Sequence, residues 1–364
     1  MKNEGESENM LIFDAHCDTV NALTNDPAYF INKKNSHLSF EKIKKGRLKA
    51  QIFAIWVNPA YCHNKSMKKA LQLYNILVKE IFNKKLGEKV KTVNEMDSAI
   101  SNNKLACWIF LEGGHIIGDS IDNLEYFYSL GVRGMTLTHT KNTGWADSSN
   151  EEPKWNGLND LGRKIVLKMN KLGMAIDISH CSDKTVKDVL EISESPVMAS
   201  HSCARSLCDI PRNLSDDLIK EIASKNGYIG VNFFPRFLSQ KVYDQTLVNL
   251  KKYENWYKEE TDKNKDDPDM LNRLELELYD KMLEGTDRVD MNVIIDHISH
   301  IIDIGGIDCV GLGSDFDGIN TTPIDLTDVS CYPALINRLL NKGFNKSEVK
   351  KIMGLNLYNF LKKI

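Results

Sequence analysis

Four of the nine histidines, together with one glutamate and one aspartate, fall where short apolar runs break off. Imidazoles mixed with carboxylates are the donors that a borderline metal such as zinc prefers. His16 and Asp18 stand two residues apart after the run 11–14. An extended backbone there sends both side chains from one face, where together they hold one metal. His180 and His201 follow the runs 174–178 and 197–199. Glu112 follows the run 105–111 and leads into Gly113-Gly114, a pair that lets the backbone turn sharply beside a crowded site. A carboxylate between two such half-sites bridges cations about 3.5–4 Å apart, the separation used by two-metal hydrolases, and Glu112 is the candidate. His139 ends the run 134–138 ahead of a loop at 140–147; it reads as an electrophile toward substrate, with metal ligation as its other use. Asp315 ends the run 309–313. His115 stands three residues after Glu112, a helical metal-pair spacing, but the two intervening glycines oppose a helix and its reading is structural. The chemistry this set supports is metal-dependent hydrolysis.

These donors need a scaffold that brings strand ends together. Eight apolar runs, at 11–14, 50–57, 105–111, 134–138, 174–178, 197–199, 228–233 and 309–313, suit strands covered on both faces. Segments of helical period separate them at 67–83, 121–130, 157–172, 182–193 and 215–225. Strand and helix in alternation imply right-handed crossovers and parallel pairing. Eight such units close into a (β/α)8 TIM barrel, an α/β fold that keeps its chemistry at the C-terminal rim of its strands. An open doubly wound sheet is the competing architecture. Ser182 and Ser215 each begin a helix with acidic residues behind them, satisfying free amides and the positive dipole end, and Asn226-Gly227 supplies a stop.

At 364 residues the chain divides into a polar tail, 1–10, and one barrel domain, 11–364, with a charged insertion at 240–290 after the seventh strand. The insertion carries two helices, near 247–260 and 270–284, and too few apolar residues for a core of its own. Its charge suits a solvated hairpin; a lid, or a contact within a homodimer, are its other uses. With 42% hydrophobic and 27% charged residues and a formal charge of -3, the composition is that of a soluble globule. No long basic block interleaved with aromatics favours nucleic acid. Residues 1–10 lack the basic start and apolar core of a secretion signal, and no stretch approaches the roughly 20 apolar residues that span a bilayer. Neither nucleic acid nor membrane is an expected partner, and the expected location is the cytoplasm. The eight cysteines are scattered without a Cys-x-x-Cys pair and read as free buried thiols. The glycine-rich stretch 311–318 lacks the lysine of a phosphate loop, and Asp315-Phe-Asp317-Gly318 lacks the later oxygen ligands of a calcium loop. Cys203 has no evident orienting group for a nucleophile.

Asp14-Ala-His16-Cys-Asp18, Leu111-Glu112-Gly-Gly-His115, Leu137-Thr-His139, Gly144-Trp145-Ala-Asp147, Asp177-Ile-Ser-His180, Ser200-His201-Ser202, Pro211-Arg212-Asn213 and Gly311-Leu-Gly-Ser-Asp315 occur in that order. As a set the motifs resemble the membrane (renal) dipeptidase family, in its bacterial-type cytosolic form, over most of the chain. The His-x-Asp opening departs from the His-x-His of most related amidohydrolase barrels. The resemblance implies a (β/α)8 barrel with two zinc ions, His16 and Asp18 on one, His180 and His201 on the other, and Glu112 bridging them. It implies further that His139 contacts the scissile carbonyl or its oxyanion, Arg212 the free carboxylate of a small dipeptide, and Asp315 the amine and the transferred proton. An arginine fork matches a terminal carboxylate bidentately, a physical reason for taking very short peptides. Phe237 stands where the renal enzyme is expected to carry a tyrosine, so one carboxylate contact is lost.

The implied reaction is hydrolysis of a dipeptide amide, both ends free, by a metal-bridging hydroxide, with Asp315 passing the attacking proton to the departing amine. The rival enzyme is another amidohydrolase-type barrel acting on N-acyl amino acids, lactones or phosphoesters. The rival without catalysis is a barrel retained for binding.

Overall fold

Strands buried on both faces require unbroken apolar runs, and the runs of this chain become such strands in the computed structural model, which describes residues 10–32, 36–61 and 64–364. They are β1 (Phe13–Cys17), β2 (Ala50–Trp56), β3 (Glu88–Lys89), β4 (Ala106–Glu112), β5 (Gly134–Thr136), β6 (Ala175–Asp177), β7 (Met198–Ala199), β8 (Tyr228–Val231) and β9 (Val310–Leu312). All pairings between them are parallel. Strand β2 pairs with both β1 and β4, and β9 with both β1 and β8, so eight strands close in sequence order into the (β/α)8 barrel. The remaining one, β3, is two charged residues that no apolar run marks; it pairs with the first residues of β4 beside the closed ring. Of the expected tail only Met10 is described, and Cys62 lies outside the described residues as well.

Alternation places the interior. Ala106, Trp108 and Phe110 of β4 enter one buried cluster with Ala50, Ile52, Ala175, Met198 and Tyr228, and Glu112 continues their parity at the C-terminal rim. In β1 it is Phe13 and Ala15 that join this cluster, which by strict alternation turns His16 away. Between Asp14 and Cys17, however, β1 spends three steps where β2 spends two. That bulge re-aims the strand, so Ala15 below and His16 above both face inward. At the opposite end Leu357, Phe360 and Leu361 of the last helix enter the same cluster. Asn356 Nδ2 ties that helix to the carbonyls of Ile307 (2.7 Å) and Val310 (2.8 Å).

Helices Ile121–Ser129, Asp160–Leu172, Asp183–Ile192 and Asp216–Ser224 stand where their periodicity puts them, while the segment 67–83 is a helix, Asn64–Leu77, ending in a π turn. The Ser182 and Ser215 hydroxyls accept from the amides of Thr185 and Leu218. At the stop after Ser215's helix it is Asn226, at φ 58°, and not Gly227 that takes the left-handed conformation. Asn tolerates this because its short amide bonds locally.

The insertion forms α1 (Gln240–Lys263) and α2 (Pro268–Leu283). A third helix, α3 (Asn292–Gly305), makes the crossover to β9; its buried Ile294, Ile295, Ile298 and Ile301 recur at helical spacing. The hairpin does not stand free in solvent. Leu274, Leu278 and Met282 of α2 are buried, Asn58 Nδ2 donates to Glu275 (2.8 Å) and Lys69 pairs with Asp269 (3.2 Å). The expectation of a solvated hairpin is therefore corrected to a roof over the barrel mouth: charge marks the outer faces, but α2 packs along α1 and is tied to the barrel through Asn58 and Lys69. No helix of the described residues is long and apolar enough to cross a membrane.

Candidate metal centre

The strand ends deliver the donors to one place. Glu112 closes β4, His16 lies within β1, and His139, His180, His201 and Asp315 follow β5, β6, β7 and β9 within three residues. The Glu112 carboxylate divides its oxygens. Oε2 lies 3.5 Å from His16 Nε2, while Oε1 lies 3.3, 3.4 and 3.7 Å from the Nε2 atoms of His180, His201 and His139. Asp18 Oδ2 is 3.3 Å from His16 Nε2. Three overlapping donor groups result, His16 with Asp18 and Glu112, Glu112 with His139 and His180, and His16 with His201 and Asp315, each with its donor atoms within 4.8 Å of one another. His201 stacks on His16 with ring centroids 3.8 Å apart and meets His180 Nε2 to Nε2 at 2.9 Å, so it stands between His16 and His180. His139 also lies within ligand reach of Glu112 and His180. His115 does not join them; its Nε2 bonds the Val57 carbonyl at 2.8 Å.

The backbone accepts unusual conformations to achieve this. His180 (φ 66°) and Asp315 (φ 61°) are both left-handed, at about 1 kcal/mol or more each for a residue with a Cβ. A Cβ at Gly318 would meet Asp18 Oδ2 at 2.2 Å and Asp315 Oδ1 at 2.6 Å, so any side chain there displaces these carboxylates from the cluster.

Electrostatics follow from burial. Burial opposes a charged His16, but Glu112 and Asp18 outweigh it and hold its pKa well above the usual value. Burial, then the Glu112 charge, pushes Asp18 up to about 6. Burial pushes Asp315 up to about 7, with His16 opposing. Burial and the Arg212 charge bring His139 down to about 3, and burial takes His180 and His201 well below their ordinary value. Neutral imidazole is the form a metal binds.

Arg212 is buried in the wall of the same cavity, about 850 Å³, which α2 covers with Arg273, Glu275 and Tyr279. Its Nη1 donates to Ser202 Oγ (2.8 Å) and its Nη2 to the His201 carbonyl (2.7 Å). Phe237 presents its ring 5.5 Å from the Arg212 Cζ and has no hydroxyl to offer.

A model of the family described as Membrane dipeptidase (Peptidase family M19) matches residues 6–364. The chain belongs to this family. It is similar to Dipeptidase 3 of Mus musculus, 29% identical over 338 residues that cover 92% of this chain and 59% of that protein. An uncharacterized dipeptidase of Schizosaccharomyces pombe is 30% identical over 351 residues, 92% of this chain and 74% of the other. The chain thus spans less than two thirds of its mammalian relatives' length. Among solved structures, a dipeptidase AC has TM-score 0.80 at 23% identity, covering 97% of this chain and 98% of that one. A metallo peptidase from Rhodobacter sphaeroides, liganded with a phosphinate mimic of the dipeptide L-Ala-D-Ala, has TM-score 0.78 at 23% identity, covering 97% and 99%. Both share the fold.

For a membrane dipeptidase family chain, the donor set itself tests whether cations fit. His16 Nε2 and Asp18 Oδ1 are buried without a hydrogen-bond partner, which buried polar atoms avoid unless a ligand takes them. His201 Nδ1 lies 2.7 Å from Ser200 Oγ, whose own proton goes to Asp177. The ring therefore donates from Nδ1 and turns the Nε2 lone pair to the centre, the outer-layer support typical of metal-binding histidines. These residues fit metal. Asp177, Ser200 and Asn232, whose Nδ2 donates to Asp315 Oδ2 at 2.8 Å, belong to the site but were not among the expected residues. Strand parity is the signal for two of them: Asp177 is the interior neighbour of Ala175, and Ser200 of Met198.

Proposed function

We propose that this chain is a dipeptidase that holds two zinc ions and hydrolyses dipeptides whose amino and carboxyl ends are both free. One observation carries the reading: a single buried carboxylate, Glu112, offers one oxygen toward His16 and the other toward His180 and His201 inside a cavity that also contains an arginine. In this reading His16 and Asp18 hold one cation, His180 and His201 the other, and Glu112 both. The cations, when bound, supply Lewis acidity that acidifies a water and polarises the scissile carbonyl.

The chain's own residues do the rest. Arg212, immobilised by Ser202 and the His201 carbonyl, takes the substrate's terminal carboxylate and so sets the amide over the donor cluster. His139 meets the carbonyl oxygen as negative charge develops on it. Asp315 has Oδ2 engaged by Asn232, leaving Oδ1 to take the proton of the attacking water and give it to the departing amine. A pKa near 7 makes both transfers accessible at neutral pH. The seven described cysteines are free thiols, which suits a reducing compartment such as the cytoplasm.

Metal analysis and a substrate panel test the proposal. Two equivalents of zinc per chain are expected, with hydrolysis of Ala-Ala and no turnover of its N-acetylated or C-amidated forms. Turnover of N-acyl amino acids, lactones or phosphoesters with dipeptides untouched assigns the centre to the rival amidohydrolase chemistry.

A further inference from the structure

Arg236 lies in the short helix Pro235–Leu238 between β8 and α1 and lines the same cavity as the donor cluster. Its guanidinium is held at one corner. Nε donates to Thr246 Oγ1 of α1 at 3.0 Å, and Cζ lies 5.0 Å from the Tyr243 ring and 6.0 Å from the Phe237 ring. Among the described residues neither Nη atom has an acceptor, and no carboxylate comes within ion-pair distance. The groups that face it electrostatically are the Tyr279 and Tyr243 hydroxyls and the Cys208 thiol. The acids of the cavity are engaged elsewhere: Glu275 by Asn58 (2.8 Å), Asp269 by Lys69 (3.2 Å), and Asp317 by Thr19 (2.6 Å) and Tyr29 (2.9 Å). A guanidinium remains ionised throughout the pH range of a folded protein. Arg236 is therefore a half-buried cation in the cavity wall with no counter-ion among the described residues, its Nη atoms open to an anionic group that enters the cavity.

Phe237 ties this cation to Arg212. Each guanidinium carbon lies within 6.0 Å of that one ring's centroid, so the two carbons are within about 12 Å of each other. The two carboxyl carbons of an extended glutamate are about 5 Å apart. Each guanidinium–carboxylate pair adds roughly 4 Å between its carbons. A single dicarboxylate residue therefore spans the two arginines.

We propose that Arg236 forms a second carboxylate subsite that reads the side chain of the substrate's C-terminal residue, so that the preferred dipeptides end in glutamate or aspartate. The inference rests on the dipeptide reading: Arg212 takes the main-chain carboxylate and Arg236 the side-chain one. A purely structural Arg236, strutting the short helix against α1 through Nε and the Tyr243 stack, does not distinguish an acid from its amide.

The deciding comparison is Ala-Glu against Ala-Gln, each with an L or a D C-terminal residue, on the zinc-loaded full chain and its Arg236→Gln and Arg236→Lys variants. The wild type is expected to favour Ala-Glu in kcat/KM by about tenfold or more, chiefly through KM, the scale of a hydrogen bond to a charged group. Arg236→Gln brings the ratio to about one, and Arg236→Lys, which keeps the charge without the fork, retains part of it. The ratio is insensitive to a general loss of activity, and thermal melts check the fold. A wild-type ratio near one, or a preference that survives Arg236→Gln, overturns the subsite and leaves the dipeptidase reading standing. If no dipeptide turns over, that reading fails, and calorimetric binding of the same peptides decides the subsite: tighter Ala-Glu that Arg236→Gln abolishes supports it, equal binding refutes it.

Discussion

The two oxygens of Asp315 have different surroundings. Oδ2 receives the Asn232 amide, and Oδ1 sits beside Asp18 close to Gly318. Asp315 also shares a donor group with His16 and His201, so geometry alone permits a ligand as well as a proton carrier. Asp315→Asn separates the roles. The amide keeps an oxygen for Asn232 but cannot accept a proton, so metal content should stay near the wild-type value while kcat falls about 10²–10⁴-fold. Zinc analysis beside steady-state kinetics reads both, and loss of a cation in the variant makes Asp315 a ligand instead. At this scale the donors were legible because each follows an apolar run that ends abruptly. The left-handed backbone of His180 and Asp315 was not legible, since Asp and His are enriched at positive φ but most of them in a chain do not adopt it.

Helix α3 shows how one side chain joins elements. The backbone N–H of Ala204, after β7, donates to His297 Nδ1 (3.0 Å), and His297 Nε2 donates to the Leu238 carbonyl, after β8 (3.0 Å). The first bond demands the neutral ring, because protonation of Nδ1 sets a donor against a donor; the Nε2 bond survives in either state. Burial brings its pKa down to about 4. The unfolded imidazole, near 6.5, takes up its proton first as pH falls. The stability that the neutral ring contributes is therefore complete above pH 6.5 and erodes toward pH 4, by about 2 kcal/mol at pH 5. His297→Gln should be less stable than the wild type at pH 7.5 yet lose about 2 kcal/mol less between pH 7 and pH 5 in denaturant melts. Parallel losses in the two proteins exclude His297 as the acid-sensitive joint. At the element scale the helices of the barrel were legible from their period and their Ser caps. The roof was misjudged, because composition weighs the charged outer faces of α1 and α2 more heavily than the few residues that hold α2 in place.

The whole molecule should be stabilised by what it binds. A ligand taken up by the native state alone contributes RT ln(1 + [L]/Kd), about 4 kcal/mol at a thousandfold excess over Kd. Chelation is expected to lower Tm by several degrees together with activity, and added zinc to restore both. A Tm indifferent to chelation in a calorimetric scan contradicts the metal reading. Sequence by itself determined the barrel, because eight apolar runs separated by helical periods leave few other ways to bury themselves, and it determined the metal chemistry, because donor types and their positions at run ends are local properties. Tertiary structure alone decided that His16 faces inward, through a bulge that alternation does not encode, and that His201 stands between His16 and His180. It alone brought α2 over the cavity and set Phe237 beside Arg212. These are relations between residues far apart in the chain, fixed by register, crossover and packing, on which composition and spacing are silent.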